Sequence, residues 1–247
     1  MKIKNLHSWD VSCKEAINIQ NILREKLILH DEGIPGKIGT VAGADTSCSK
    51  GSGLFCAAVV LFELPSMEVI EEASFAGRVV FPYIPGLLTF REGPALLKAF
   101  EKLRNVPDVA IFDGQGIAHP RGFGLASHMG LFLDIPTIGC AKTRLSGKYS
   151  EVENETGAYS HLILNGGIAG AVLRTKKNVK PVFISQGHRI GLQKAIDVVL
   201  SCCAGYKLPE PTRRAHLTVN RIRMQSGRRL LGTNYLLPKQ PEQYIVS

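Results

Sequence analysis

The stretch TFREGPALLKAFEKLRNVPDVAIFDG, residues 89–114, changes its hydrophobic period partway along. Leu96, Phe100 and Leu103 recur at three- and four-residue spacing, which predicts a helix with one apolar stripe. Pro107 stops that pattern. Val109–Phe112 is then a short continuous apolar run ending at Asp113, as expected of a strand buried on both faces. A helix from Thr89 to Arg104 rises about 22 Å at ~1.5 Å per residue, and the strand returns about 16 Å at ~3.3 Å per residue. Glu92, near the start of the outgoing helix, and Asp113, at the end of the returning strand, therefore belong at one edge of a sheet.

On the N-terminal side, Ser12-x-x-Glu15 reads as a capping box opening a helix with Ile19, Leu23 and Leu27 on its stripe. IGTVAGADTS (38–47) is a short strand leading to Asp45, and Leu54–Leu64 is almost wholly apolar. After Pro65-Ser66 the chain alternates, with Met67, Val69, Ala73 and Phe75 opposite Glu68, Glu72 and Ser74, giving three antiparallel strands. Beyond Asp113 come a Gly-rich loop, a helix near Leu125–Leu133 and a strand near Thr137–Gly139. Strands near Gly170–Arg174 and Pro181–Ser185 follow, then helices near Leu192–Cys202 and from Thr212. This order predicts an α/β fold: a ribonuclease H-like mixed sheet, three antiparallel strands then parallel strands, flanked by helices. Asp45 meets Asp113 if their strands are parallel neighbours, a pairing that spacing alone does not settle. One catalytic domain over 1–225 and a flexible tail over 226–247 are expected.

The chain has 247 residues, 45% hydrophobic and 21% charged, which excludes a disordered or fibrous protein. Its longest apolar run, Leu54–Phe62, is far short of the ~20 residues that span a bilayer. The start MKIKNLHSWD has no signal-peptide stretch, so a cytoplasmic location is expected, and a monomer is the default expectation. A net charge of +9 suits a polyanionic partner such as nucleic acid. The six cysteines form no CxxC pair and read as buried small residues in a reducing compartment, neither a zinc site nor a disulfide frame.

Converging carboxylates need a cation: two of them ~4 Å apart repel by about 4 kcal/mol at an effective dielectric of 20. Hard oxygen ligands select Mg²⁺, with Mn²⁺ able to substitute, and such ions promote phosphodiester hydrolysis. Each residue also has a plainer reading. Thr89-x-x-Glu92 fits a capping box, and Asp113-Gly114 and Asp45 fit turns.

The blocks FPYIPGLLTFREGP (81–94), PDVAIFDGQGIAHPRGFGLASHMG (107–130), IPTIGCAKTRL (135–145) and LPEPTRRAH (208–216) closely resemble the endonuclease V family. The resemblance runs from the N-terminal helix to about residue 225. It implies Mg²⁺-dependent nicking of DNA at the second phosphodiester 3′ to deoxyinosine, leaving 3′-hydroxyl and 5′-phosphate. It places the metal-binding carboxylates on Asp45, Glu92 and Asp113. His216 becomes a second-metal ligand or proton shuttle, against a helix-surface histidine, and Lys142 a phosphate contact, against a solvated lysine. Two rival functions are an inosine-specific endoribonuclease and a non-cleaving lesion-binding module. The intact carboxylate set argues against the module.

In PYIP, Pro82 and Pro85 stiffen a loop that presents Tyr83 and Ile84 as a wedge in a base stack. Extruding a base costs a few kcal/mol, less when it is mispaired. Gly114 and Gly116 lack the third glycine of a dinucleotide fingerprint. By resemblance they line the lesion pocket, leaving room for backbone groups to reach the base edge, with Leu88, Leu125 and Gly139 nearby. His119 is either close to that pocket or a histidine satisfied by backbone, and His128 is read as packing. Ser185-Gln186-Gly187-His188 departs from the Ser-Pro-Gly-His common in the family, which bears on local loop geometry.

Overall fold

The computed structural model describes residues 1–49 and 53–232, with side chains to 226. The order is α1 (Cys13–Arg24), β1 (Thr40–Cys48), β2 (Leu54–Glu63), β3 (Val69–Arg78), α2 (Leu88–Phe100), β4 (Val109–Phe112) and α3 (Leu125–Leu133). Then follow β5 (Thr137–Ala141), β6 (Tyr159–Leu164), β7 (Gly167–Leu173), β8 (Val182–His188), α4 (Leu192–Ser201) and α5 (Glu210–Gly232). α5 passes the boundary expected at residue 225, and the rest of the expected tail, 233–247, lies outside the described residues. No described helix is long and apolar enough to cross a membrane.

One eight-stranded mixed sheet runs β3-β2-β1-β4-β5-β8-β7-β6. β1 to β3 form the expected antiparallel meander, and β4 joins β1 in parallel with Val41 opposite Val109 and Ala44 opposite Phe112. β5 continues in parallel, and β8, β7 and β6 complete the mixed sheet with antiparallel pairing. β6 carries no strong sequence signal because it is an edge strand with only Leu162 buried.

Alternation sorts the core into two layers. Ala42 and Ala44 of β1, Phe55 to Leu61 of β2 in alternate positions, and Ala110 and Phe112 of β4 pack with α2 and α3. Val41, Val109 and Ile111 face α4, while the other side of β2 meets Ala215 and Val219 of α5. Helices on both faces explain why Leu54–Phe62 is apolar without a break, and each fully buried Leu or Phe there contributes about 1.5–3 kcal/mol.

Two local expectations change. α1 has its reciprocal Ser12–Glu15 capping box. α2, however, starts at Leu88 with Leu87 as an N-cap lacking a side-chain bond; Thr89 is buried, so no Thr89–Glu92 box forms. α2 also ends at Phe100 and not at Arg104, because the Glu71 carboxylate accepts from the Arg104 and Asn105 amides at 2.8 and 3.1 Å and holds the chain in a turn. Cys56, Cys140 and Cys202 are buried as expected, whereas Cys13 and Cys48 are exposed. His128 is packing, fully buried among Trp9, Phe90, Phe123 and Phe132, with its Nε2 at 2.7 Å from His7 Nε2.

Candidate active site

The parallel β1–β4 register brings Asp45 and Asp113 together. The Asp113 amide donates to the Ala44 carbonyl at 3.3 Å, so the two carboxylates leave the sheet side by side at its carboxyl edge. Counting by two from Val41 and from Ile111 puts both on the α5 side of the sheet. There His216, in the second turn of α5, has its Nδ1 2.7 Å from Asp45 Oδ2. Ligand atoms of Asp45, Asp113 and His216 all lie within 4.8 Å of one another. Lys142, just past β5, forms an ion pair with Asp113 through Oδ2.

His216 has a fixed orientation. Asn220 lies one turn further along α5, and its Nδ2 is 3.1 Å from His216 Nε2 and 2.9 Å from the His216 carbonyl. Its Oδ1 accepts from Ser47 Oγ at 3.0 Å, which assigns the amide nitrogen to the imidazole. Nε2 is then the acceptor, and Nδ1–H donates to Asp45. Neither Asn220 nor Ser47 was singled out in the sequence. The i, i+4 spacing of His216 and Asn220 on one helix was the available signal.

Glu92 reaches the same edge from the other layer. Thr46 alternates with Asp45, points to the α2 side and hydrogen-bonds the Glu92 carboxyl. Glu92 is therefore outside the tight Asp45–Asp113–His216 group, although the charges of both aspartates act on it. Burial, then Asp45 and Asp113, push its pKa from 4.5 to about 8 despite the opposing Thr46 bond. Burial and the Asp113 charge also raise Asp45, against the His216 bond. For Lys142 burial works downward, but the hydrogen bond and charge of Asp113 prevail and raise it. Lys207, another residue the sequence did not flag, donates to the Lys142 carbonyl at 3.2 Å, and burial lowers its amine.

The loop before α2 carries Tyr83 outward, 68% exposed, between exposed Pro82 and Pro85. Ile84 was expected at the tip beside it. It instead packs inward on Phe81, Leu87, Phe90 and Ala16, because the turn that bonds the Leu87 amide to the Ile84 carbonyl at 2.9 Å folds it under. Arg91 Nη1 holds the Phe81 carbonyl at 2.8 Å.

The glycines stand close to neighbouring protein atoms. A Cβ on Gly116 would stand 1.9 Å from the Gln186 carbonyl oxygen, and one on Gly139 would stand 2.4 Å from the Gly116 nitrogen. Both absences admit neighbouring protein backbone. A Cβ on Gly114 would meet Leu125 at 3.1 Å, and Leu125 is buried while Leu88 is partly so. His119 is buried and bonded to backbone: its Nε2 lies 3.1 Å from the Gly86 carbonyl and its Nδ1 accepts from the Arg121 amide at 3.2 Å. Gln186, the departure from the family pattern, uses its buried amide to bond the Leu29 and Ile190 carbonyls at 2.8 and 3.2 Å. Proline has no side-chain group to make those bonds.

A sheet of this order, with aspartates leaving two parallel neighbours at one edge, defines a ribonuclease H-like protein with a candidate metal site. The Endonuclease V family model matches residues 21–217. An endonuclease V of Dehalococcoides mccartyi is 51% identical over 217 residues, 88% of this chain and 96% of that protein. The crystal structure of Bacillus subtilis endonuclease V superposes with a TM-score of 0.88 at 33% identity, covering 93% of this chain and 100% of that one. Ciona intestinalis endonuclease V, solved with a 24mer DNA containing an inosine followed by a ribo-adenosine, gives a TM-score of 0.74 at 25% identity, covering 86% of this chain and 98% of that one. The chain belongs to the endonuclease V family, a family of nucleases.

Proposed function

We propose that the protein is a Mg²⁺-dependent repair endonuclease. It nicks DNA at the second phosphodiester 3′ to deoxyinosine and leaves 3′-hydroxyl and 5′-phosphate. The observation that carries this reading is the meeting of Asp45, Asp113 and His216 within 4.8 Å at a sheet edge, in a basic chain.

The donor set fits a hard divalent cation. Asp45 is destabilised as an anion by burial and by Asp113, and Lys142 pairs with Asp113 alone of the two. The nearest thiol, Cys140, is kept protonated by burial and by the Asp113 charge, so it offers no soft ligand. Asp45 and Asp113 would hold the ion, with His216 beside them bonded to Asp45 and Glu92 as an outer carboxyl. When bound, Mg²⁺ supplies charge against the phosphate and the departing oxygen and makes water more acidic.

In hydrolysis a water oxygen bonds to phosphorus, the bond to the 3′-oxygen breaks, and that oxygen takes a proton. Lys142 fixes Asp113 and retains N–H groups for a phosphate oxygen. Glu92 is pushed up to about 8 in the metal-free site by burial and by both aspartates, and a bound cation would favour its ionised form as a partner for water. His216 orients Asp45 through Nδ1–H. Tyr83 fills the gap left by the extruded base, and Leu88, Gly114, Gly116, Leu125 and Gly139 form the pocket wall. The working unit is one catalytic domain acting as a monomer.

The test offers matched DNA and RNA strands, with and without one inosine, in Mg²⁺ or chelator. Cleavage of inosine DNA only with Mg²⁺ is the expected result, and equal cleavage of unmodified strands refutes lesion specificity. The ribo-adenosine after inosine in the Ciona ligand favours one further reading, an endoribonuclease on inosine RNA, which faster RNA cleavage would establish.

A further inference from the structure

The residue that closes the Tyr83 loop is bonded more heavily than its place in a surface loop requires. Gly86 has φ +80, a conformation glycine tolerates, and this turns its carbonyl inward. That one oxygen receives Gln20 Nε2 at 3.0 Å, His119 Nε2 at 3.1 Å and Arg121 Nη2 at 2.5 Å. A carbonyl has two lone pairs, so the three donors saturate it. The donors are also bonded to each other. Arg121 Nε donates to Gln20 Oε1 at 2.7 Å, and the second Gln20 amide hydrogen goes to the Phe123 carbonyl at 3.2 Å. Gln20 is completely buried with each polar atom used, although it interrupts the apolar stripe of Ala16, Ile19 and Leu23. A buried amide on such a stripe costs stability unless its partners are in place, so its presence marks a specific task.

The bonds connect three parts of the molecule: α1, the Tyr83 loop, and the segment between β4 and α3. That segment starts with Asp113, continues through Gly114 and Gly116, and ends beside Leu125. The anchor of the tip and the wall of the pocket are thus one stretch of backbone.

We infer that Gln20 and Arg121 are positioning residues that hold Tyr83 at a set distance from the lesion pocket, so that separating the strands and seating the base occur as one event. The inference rests on the reading of Tyr83 as a wedge. Neither residue belongs to the Asp45–Asp113–His216 group. Their effect reaches the substrate through Gly86, so it is confined to substrates whose base must first be pulled from a duplex.

The experiment compares kcat/KM in Mg²⁺ for inosine in a duplex and for the same strand alone, in wild type, Tyr83→Ala, Arg121→Met, Gln20→Leu, Arg121→Lys and the Tyr83→Ala/Arg121→Met double variant. Loss of the wedge should lower the duplex-to-single-strand ratio by about tenfold, within the range of one base–aromatic stack. Arg121→Met and Gln20→Leu should lower it about fivefold or more, Arg121→Lys less, and the double variant no more than Tyr83→Ala alone. Fluorescence of 2-aminopurine next to the inosine, which rises on unstacking, should fall in the same order. Thermal melting is followed throughout; if buried Gln20→Leu unfolds, the half-buried Arg121 variants carry the test. If Tyr83→Ala changes the ratio while the Arg121 variants do not, or if they slow both substrates equally, the positioning role is refuted and the wedge stands. If Tyr83→Ala itself leaves the ratio unchanged, the wedge fails and the positioning role falls with it.

Discussion

Glu92→Gln should stabilise the metal-free fold at alkaline pH and abolish cleavage in Mg²⁺. The carboxyl lies between the two layers, short of water and near two aspartates, and its pKa rises from 4.5 to about 8. Between these values the folded chain keeps a proton that the unfolded chain has released. Stability therefore falls as pH rises through that window and is level again above it. A gap of about 3.5 pH units at about 1.4 kcal/mol each sets a ceiling near ~5 kcal/mol. Relaxation of the surrounding groups reduces this to a few kcal/mol. Glutamine fits the same space and does not titrate. Urea unfolding of both proteins in EDTA at pH 5 and pH 9 isolates the effect, since every other titrating group cancels to first order. The variant should gain about 2–4 kcal/mol on wild type between the two pH values. Mg²⁺ at pH 9 should return part of the wild-type deficit. A change below about 0.5 kcal/mol would show that the metal-free site does not hold Glu92 protonated.

Asp113→Ala should retain binding to inosine DNA, measured by gel shift, and lose the nick; normal cutting would mean that the cation site lies elsewhere. Asn220→Ala should reduce kcat by about three- to tenfold with KM unchanged, because it frees the His216 ring without touching substrate; a rise in KM alone would contradict that role. Gly116→Ala should destabilise by about 2–4 kcal/mol in chemical denaturation, since the added carbon would meet the Gln186 carbonyl at 1.9 Å and backbone cannot yield as a side chain can.

Much of the fold was legible because its signals are local. A period of about 3.6 giving way to a continuous apolar run located α2 and β4, and their opposite directions predicted that Glu92 and Asp113 share an edge. Ser12 and Glu15 announced α1 at four-residue range. β6 was missed because an edge strand with one buried residue does not impose alternation on its sequence. Thr89-x-x-Glu92 misled for a related reason. The pattern of a cap was present, but tertiary packing buried Thr89 and moved the helix start to Leu88.

The amino-acid order by itself determined the elements, the two layers implied by Leu54–Phe62, and the family to which the blocks belong, since hydrophobic period and motif spacing are properties of the chain alone. The partners of each chemical group were decided by the tertiary structure. His216 meets Asp45 across 171 positions, Gln20 meets Gly86 across 66, and the pKa of Glu92 depends on which neighbours exclude water from it. Hydrogen bonds and desolvation act over a few ångströms in space, and only the folded sheet brings residues so distant in sequence within that range.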